Sequence, residues 1–272
     1  MSPTATPTYS AIVERFLRYT RINTTADPNN MSVVPSSANQ HILADLLLSE
    51  LQAFGLEAVK LENSTVIATL PAHLPKGTAT DTVPTVGWIC HIDTHFDKTT
   101  DTHAQVVAYK GGDIVLNPAH NITMKRTDFP ELAYYENDNI IVTDGTSLLG
   151  ADNKSAIAEV MHAVQYFVEN PEVHHAEMRI IFVPDEEIGL VGAKLLTKEQ
   201  INIDYGYTLD CCKIGELVAE NWNAGEYSIH FKGQTAHPMS SKGKLKNSIL
   251  TAYQFIQMLP AGDRPEYTEG VE

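Results

Sequence analysis

Four separate stretches of this chain offer residues able to bind a cation or move a proton. They are His91-Ile92-Asp93, Gly150-Ala151-Asp152-Asn153-Lys154, Pro184-Asp185-Glu186-Glu187-Ile188-Gly189, and Asp210. An imidazole with several carboxylates is a donor set suited to zinc or a similar divalent ion. Strand residues two apart face the same way, so Asp93 can lie behind His91 and accept its second ring N–H. Such a bond fixes the imidazole tautomer and raises its basicity toward a metal. Each stretch alone has a plainer explanation. His91 and Asp93 could be an ordinary surface pair, and Asp152 a helix cap, since Asp is favoured there. Asp185, Glu186 and Glu187 repel one another unless solvent or cations neutralise them. The joint arrangement is what points to a metal.

These residues depend on the elements that carry them. Val86–Ile92 is a continuous apolar run of strand length, as expected for a strand buried on both faces. Met178–Val183 reads the same way, another strand is expected at Tyr205–Leu209, and Ile140–Val142 begins a further one. All four stretches thus lie just past predicted strands, where open α/β sheets place their ligand sites. Tyr9, Ile12, Val13, Phe16 and Leu17 predict an opening amphipathic helix. Ile42 to Phe54 predicts a second, with Ser36 or Ser37 as its cap and Gly55 at its end. Glu57–Leu61 and Thr65–Leu70 are short β-rich runs joined by Asn63-Ser64. Ile157, Val160, Met161, Val164, Phe167 and Val168 share one face of a further helix, and a short one is expected near Val191–Leu196. Asp97 to Glu136 is long, polar and weakly periodic, with one short strand expected at Ile114–Leu116; such a connection is usually functional or mobile.

Alternating strands and helices predict an α/β catalytic domain with a mostly parallel sheet over residues 1–222. From Asn223 the texture changes. Tyr227, Ile229 and Phe231 alternate like a half-exposed strand, and Ile249, Tyr253, Phe255, Ile256 and Leu259 predict a helix. One strand and one helix over 223–272 are too little to close a core, so this second, α+β domain reads as incomplete.

With 43% apolar and 19% charged residues, the chain can build a sizeable core and is not a disordered composition. The formal net charge of -15 argues against nucleic acid or an anionic membrane as partner, since either needs a basic footprint. No apolar stretch is long enough to span a membrane, and Met1 to Ser10 lacks the basic and apolar regions of a secretion signal. The cysteines, Cys90, Cys211 and Cys212, do not form a disulfide framework, which fits a reducing, cytoplasmic setting.

In order and in residue type, the four stretches resemble the co-catalytic zinc peptidases, a family that includes peptidase T, carboxypeptidase G and aminoacylase. His91-Ile92-Asp93-Thr94, Gly150-Ala151-Asp152-Asn153-Lys154, Asp185-Glu186-Glu187-Ile188-Gly189 and Thr208-Leu209-Asp210 match its four motifs. Val34-Pro35-Ser36, Tyr109-Lys110-Gly111-Gly112-Asp113-Ile114, Leu148-Leu149-Gly150, Gly215-Glu216-Leu217 and Pro265-Glu266-Tyr267-Thr268-Glu269-Gly270 are similar to its peptidase T branch. The likeness covers essentially the whole chain.

The resemblance implies a zinc-peptidase catalytic domain followed by a lid (dimerisation) domain. Carried over by position, His91 and Asp210 hold one zinc, Glu187 holds the second, and Asp152 bridges both. Asp93 and Glu186 are the catalytic pair, Asp93 acting through His91 and Glu186 as general base. The peptide bond after Asp152 is cis, and His237 of the lid stabilises the oxyanion in a partner subunit. The implied reaction is removal of the N-terminal residue from a tripeptide by a cytosolic homodimer. Another amide hydrolase of the family, a carboxypeptidase or deacylase, is the alternative within the class.

Three departures qualify this expectation. The family completes its second zinc site with a histidine near the C-terminus, and no part of this chain resembles that segment. One site therefore keeps His91, Asp152 and Asp210, while the other keeps only Asp152 and Glu187 and should be weak; a truncated, catalytically incomplete fragment is the contrasting reading. Asn153 stands where an Asp is common. Cys211 and Cys212 replace small glycines and are expected as buried packing residues, a thiolate ligand being the remoter choice.

Overall fold

The computed structural model describes residues 10–79, 82–97, 102–211, 213, 215–219, 225, 227–264 and 267. Its elements in chain order are α1 (Ala11–Thr20), α2 (Asn39–Ala53), β1 (Glu57–Lys60), β2 (Val66–Leu70), β3 (Val86–His91), β4 (Gln105–Ala108), β5 (Ile114–Asn117), β6 (Ile122–Met124) and β7 (Asn139–Val142). There follow α3 (Ala151–Glu169), β8 (Met178–Val183), α4 (Val191–Lys194), α5 (Lys198–Ile201), β9 (Tyr205–Thr208) and α6 (Ser248–Met258). The chain divides into two compact units, Met1–Cys211 and Cys212–Glu272.

The first unit is α/β, built on a five-stranded mixed sheet of order β1-β2-β8-β3-β9. Its parallel part is β8-β3-β9; β2 pairs antiparallel with both β1 and β8. Central β8 shows why its sequence is apolar throughout. Ile180 and Phe182 point to one face, with Leu43, Leu47 and Leu51 of α2 and Ile157, Met161 and Val164 of α3 in the same buried cluster. Ile181 and Val183 point to the other, with Ile67 and the partly buried Leu196 and Ile201. A strand covered on both faces has no polar side to alternate with. The parallel strands β3, β8 and β9 run side by side, so their carboxyl ends open on the same edge of the sheet, as ligand sites of open α/β sheets require.

Several local expectations need correction. Neither Ser36 nor Ser37 caps α2: its N-cap is Ala38, with no side-chain cap bond, because the Ser36 hydroxyl is committed to Asp185. Gly55 does follow the helix, at φ +84. The connection 97–136 holds more structure than one short strand. β4 pairs with β7, and β5 with β6, around buried Tyr109, Ile114 and Leu132. β4 and β6 lie in a polar, weakly periodic stretch and are strands through their pairing with β7 and β5, which the sequence pattern does not show.

In the second unit, Asn247 caps α6 by accepting the N–H groups of Ile249 and Leu250. Tyr227, Ile229 and Phe231 do not form a strand, and among the described residues the unit's β pairing is the isolated Gln234–Lys246 bridge. An alternating segment without a neighbouring strand has no ladder to join. None of the unit's described residues is buried, in keeping with too few elements to enclose a core.

Candidate metal centre

β3 ends at His91, whose side chain is buried among the ends of its neighbouring strands. Its Nδ1 lies 3.1 Å from the Asp93 carbonyl oxygen and 3.3 Å from Asp93 Oδ1, so Asp93 does sit behind the ring. The other nitrogen, Nε2, faces three carboxylates. It is 2.8 Å from Asp152 Oδ1, 3.6 Å from Asp210 Oδ2 and 3.9 Å from Glu186 Oε2.

Asp152 reaches this position through unusual backbone. The N-cap of α3 is Gly150, at φ +73, and no side chain caps the helix. Asp152 and Asn153 have non-helical backbone angles and the bond between them is cis. The capping explanation of Asp152 therefore does not hold, since its carboxylate goes to His91. Asn153 is buried, and its Nδ2 donates to the Leu209 carbonyl at 2.7 Å and to Asp210 Oδ1 at 2.5 Å. The residue that removes a negative charge thus joins the start of α3 to the end of β9. Lys154, also buried, donates to the Ile22 carbonyl at 2.6 Å.

The turn after β8 separates its three successive carboxylates. Asp185, at φ +55, turns inward and is buried, whereas Glu186 and Glu187 remain partly exposed. The backbone N–H groups of Glu186 and Glu187 donate to the Asp93 carboxylate at 3.0 and 3.1 Å. Asp93 therefore ties the imidazole to the turn that carries both glutamates. Repulsion within the run is relieved by folding, one carboxylate being withdrawn from the other two.

Among the described residues, two sets of donor atoms lie within 4.8 Å of one another: His91, Asp152 and Asp210, and His91, Glu186 and Glu187. Electrostatics match this geometry. Burial pushes the His91 imidazole down, but bonds to Asp152, Asp210 and Asp93 outweigh it and lift it to about 12. The same bond to His91 holds Asp152 below the usual carboxylate range. Burial raises Glu186, and burial with the charge of Asp152 raises Glu187 to about 6. Carboxylates that favour an imidazolium so strongly favour a cation among them, so the donor set fits a divalent metal.

Of the remaining sequence candidates, His237 lies in the second unit, where Nδ1 accepts the Met239 N–H at 3.3 Å. Cys211 is exposed rather than buried, because the chain leaves the sheet after β9; Cys212 lies outside the described residues. Asp185, Ser36 and Gln40 were not singled out as a group by spacing, since their bonds join residues 145 and 149 positions apart.

A nearby glycine shows how tightly the turn is packed. A Cβ on Gly192 would lie 2.1 Å from the Pro184 carbonyl oxygen. Gly192→Ala is expected to destabilise the first unit by about 1–3 kcal/mol through overpacking, read as a lower urea midpoint. An unchanged midpoint would show that the turn yields freely.

No family model matches the chain. Over 264 residues it is 44% identical to peptidase T of Geobacillus kaustophilus (strain HTA426), covering 96% of this chain and 62% of that protein. The chain resembles peptidase T. Peptidase T of Bacillus subtilis (strain 168) is 40% identical over the same span, with 63% of its length covered. The chain thus spans somewhat less than two thirds of these peptidase T relatives. Among solved structures, the fold is similar to aminopeptidase PepT from Bacillus cereus ATCC 10987, with TM-score 0.57, 22% identity, and 92% of this chain and 56% of that one covered. A tripeptidase from Staphylococcus aureus gives TM-score 0.52 and 20% identity, over 75% of this chain and 43% of that one. These two likenesses are of fold. Among the described residues, no helix is long and apolar enough to cross a membrane.

Proposed function

We propose that this chain is the metal-binding part of a zinc-dependent aminopeptidase that releases the N-terminal residue from tripeptides. The observation that carries the reading is the meeting, around His91 Nε2, of Asp152, Asp210 and Glu186 from three other parts of the chain. The 40–45% identity to peptidase T over nearly the whole chain supports the substrate class.

In this proposal His91, Asp152 and Asp210 hold one ion, and Asp152 with Glu187 holds part of a second site. A zinc pair supplies a polarised carbonyl and a water of lowered pKa. The protein's own groups do the rest. Glu186 accepts a proton from the attacking water and gives it to the departing amine. Asp93 fixes the ring of His91 and, through the backbone, the position of Glu186. Residues 223–272 begin a lid domain, from which His237 donates to the developing oxyanion in a homodimer. The setting is the cytoplasm, where the free thiols stay reduced.

The test is a substrate panel with zinc supplied: tri-alanine, di-alanine and N-acetylmethionine, with and without a chelator. Release of free alanine from tri-alanine, lost on chelation, is expected. Hydrolysis of N-acetylmethionine but not tri-alanine would move the assignment to a deacylase. Chelator-insensitive hydrolysis, or none at all, would overturn it for this chain.

A further inference from the structure

We infer that Ser36, Gln40 and Asp185 form a positioning network that sets the direction of the Glu186 and Glu187 carboxylates; this rests on the metallopeptidase reading above. The Asp185 carboxylate is fully buried and accepts three hydrogen bonds. They come from the Ser36 N–H at 2.7 Å, the Ser36 hydroxyl at 2.6 Å and Gln40 Nε2 at 2.6 Å. The Asp185 N–H in turn donates to Gln40 Oε1 at 3.2 Å. Ser36 is itself held, its Oγ accepting the Asp27 N–H at 2.9 Å and its carbonyl the Asn30 Nδ2 at 2.8 Å.

Two features separate this network from ordinary packing. Among the described residues Asp185 makes no ion pair, so its charge is accommodated by neutral donors alone. A buried carboxylate in that situation is costly unless every donor is in place, which makes the geometry exacting. The core, moreover, has no need of it to hold β8, which is already bonded along both edges by β2 and β3. What the network adds lies beyond the strand, in the turn. There Asp185 is gripped from the start of α2, and the next two N–H groups are gripped by Asp93. Held on both flanks, with a left-handed residue between strand and glutamates, the turn keeps Asp185 inward and leaves Glu186 beside His91. A displacement of about 1 Å at such groups can cost roughly 100-fold in rate.

The experiment is a titration with Co²⁺ alone, followed by its visible absorption, on the unmodified chain and on Asp185→Asn, Ser36→Ala and Ser36→Thr. Asp185→Asn sets an amide donor against existing donors and should weaken Co²⁺ binding about 10- to 100-fold and alter the spectrum. Ser36→Ala should show a smaller change of the same kind. Ser36→Thr, which keeps the hydroxyl, should restore binding and spectrum. Unchanged affinity and spectrum in both Asp185→Asn and Ser36→Ala would overturn the inference. If Asp185→Asn does not fold, by far-UV circular dichroism, Ser36→Ala against Ser36→Thr makes the same decision. An unmodified chain that binds no Co²⁺ would overturn the metallopeptidase reading itself. Normal binding there with unaffected variants overturns only the positioning role.

Discussion

On the proposed metallopeptidase reading, Glu186→Gln is expected to lower tripeptide turnover by about 10²- to 10⁴-fold, the usual contribution of a positioned general base, while leaving KM and bound zinc close to their original values. The amide keeps the size of the carboxylate but cannot accept the proton from water. Glu186 suits the role because its side chain is partly exposed, 31%, and lies 3.9 Å from His91 Nε2, too far for a bond to the ring. Its neighbour should behave differently: Glu187→Gln is expected to lose metal along with activity. The comparison decides a real ambiguity, since Glu186 and Glu187 both fall within 4.8 Å of His91 as donors. Metal lost from Glu186→Gln in proportion to activity would make Glu186 a ligand. Full activity in that variant would remove it from the chemistry.

Phe182→Ala is expected to cost about 3–5 kcal/mol of stability, the range for truncating a fully enclosed aromatic side chain. Phe182 has no exposed surface and sits on central β8, in one cluster with α2 and α3 residues. The strand cannot shift to fill the void, because it is registered against β2 on one edge and β3 on the other. A urea titration of the first unit's unfolding reads the effect directly. The loss should also reach the site, since β8 leads straight into the Pro184 turn. A cost below about 1 kcal/mol would mean that the core collapses around the deletion, contrary to the packing described.

The first unit was legible because its central strands are apolar on both faces and its helices on one. Val86–Ile92 and Met178–Val183 could scarcely be anything but buried strands, and their carboxyl ends located the chemistry. The exceptions share a cause. β4 and β6 lie in a polar, weakly periodic stretch and become strands only by pairing with β7 and β5, and Tyr227 to Phe231 has the period of a strand without a neighbouring ladder. Pattern reports what a segment would bury, not what stands beside it.

The same division runs through the site. By itself, the sequence determined which residues could bind a cation, that Asp93 could lie behind His91, and that three of the four stretches follow strands of one sheet. Residue type and a strand period of two suffice for that. The strand before Asp152, β7, belongs instead to a separate pair with β4. Only the tertiary structure decided that Asp152 serves His91 rather than a helix end, and that Asn153 links to Asp210. It also decided that the Asp185-Glu186-Glu187 run splits, one carboxylate inward and two toward His91. Each of these choices depends on a partner between 57 and 149 residues away, at a hydrogen-bond length that local sequence does not encode.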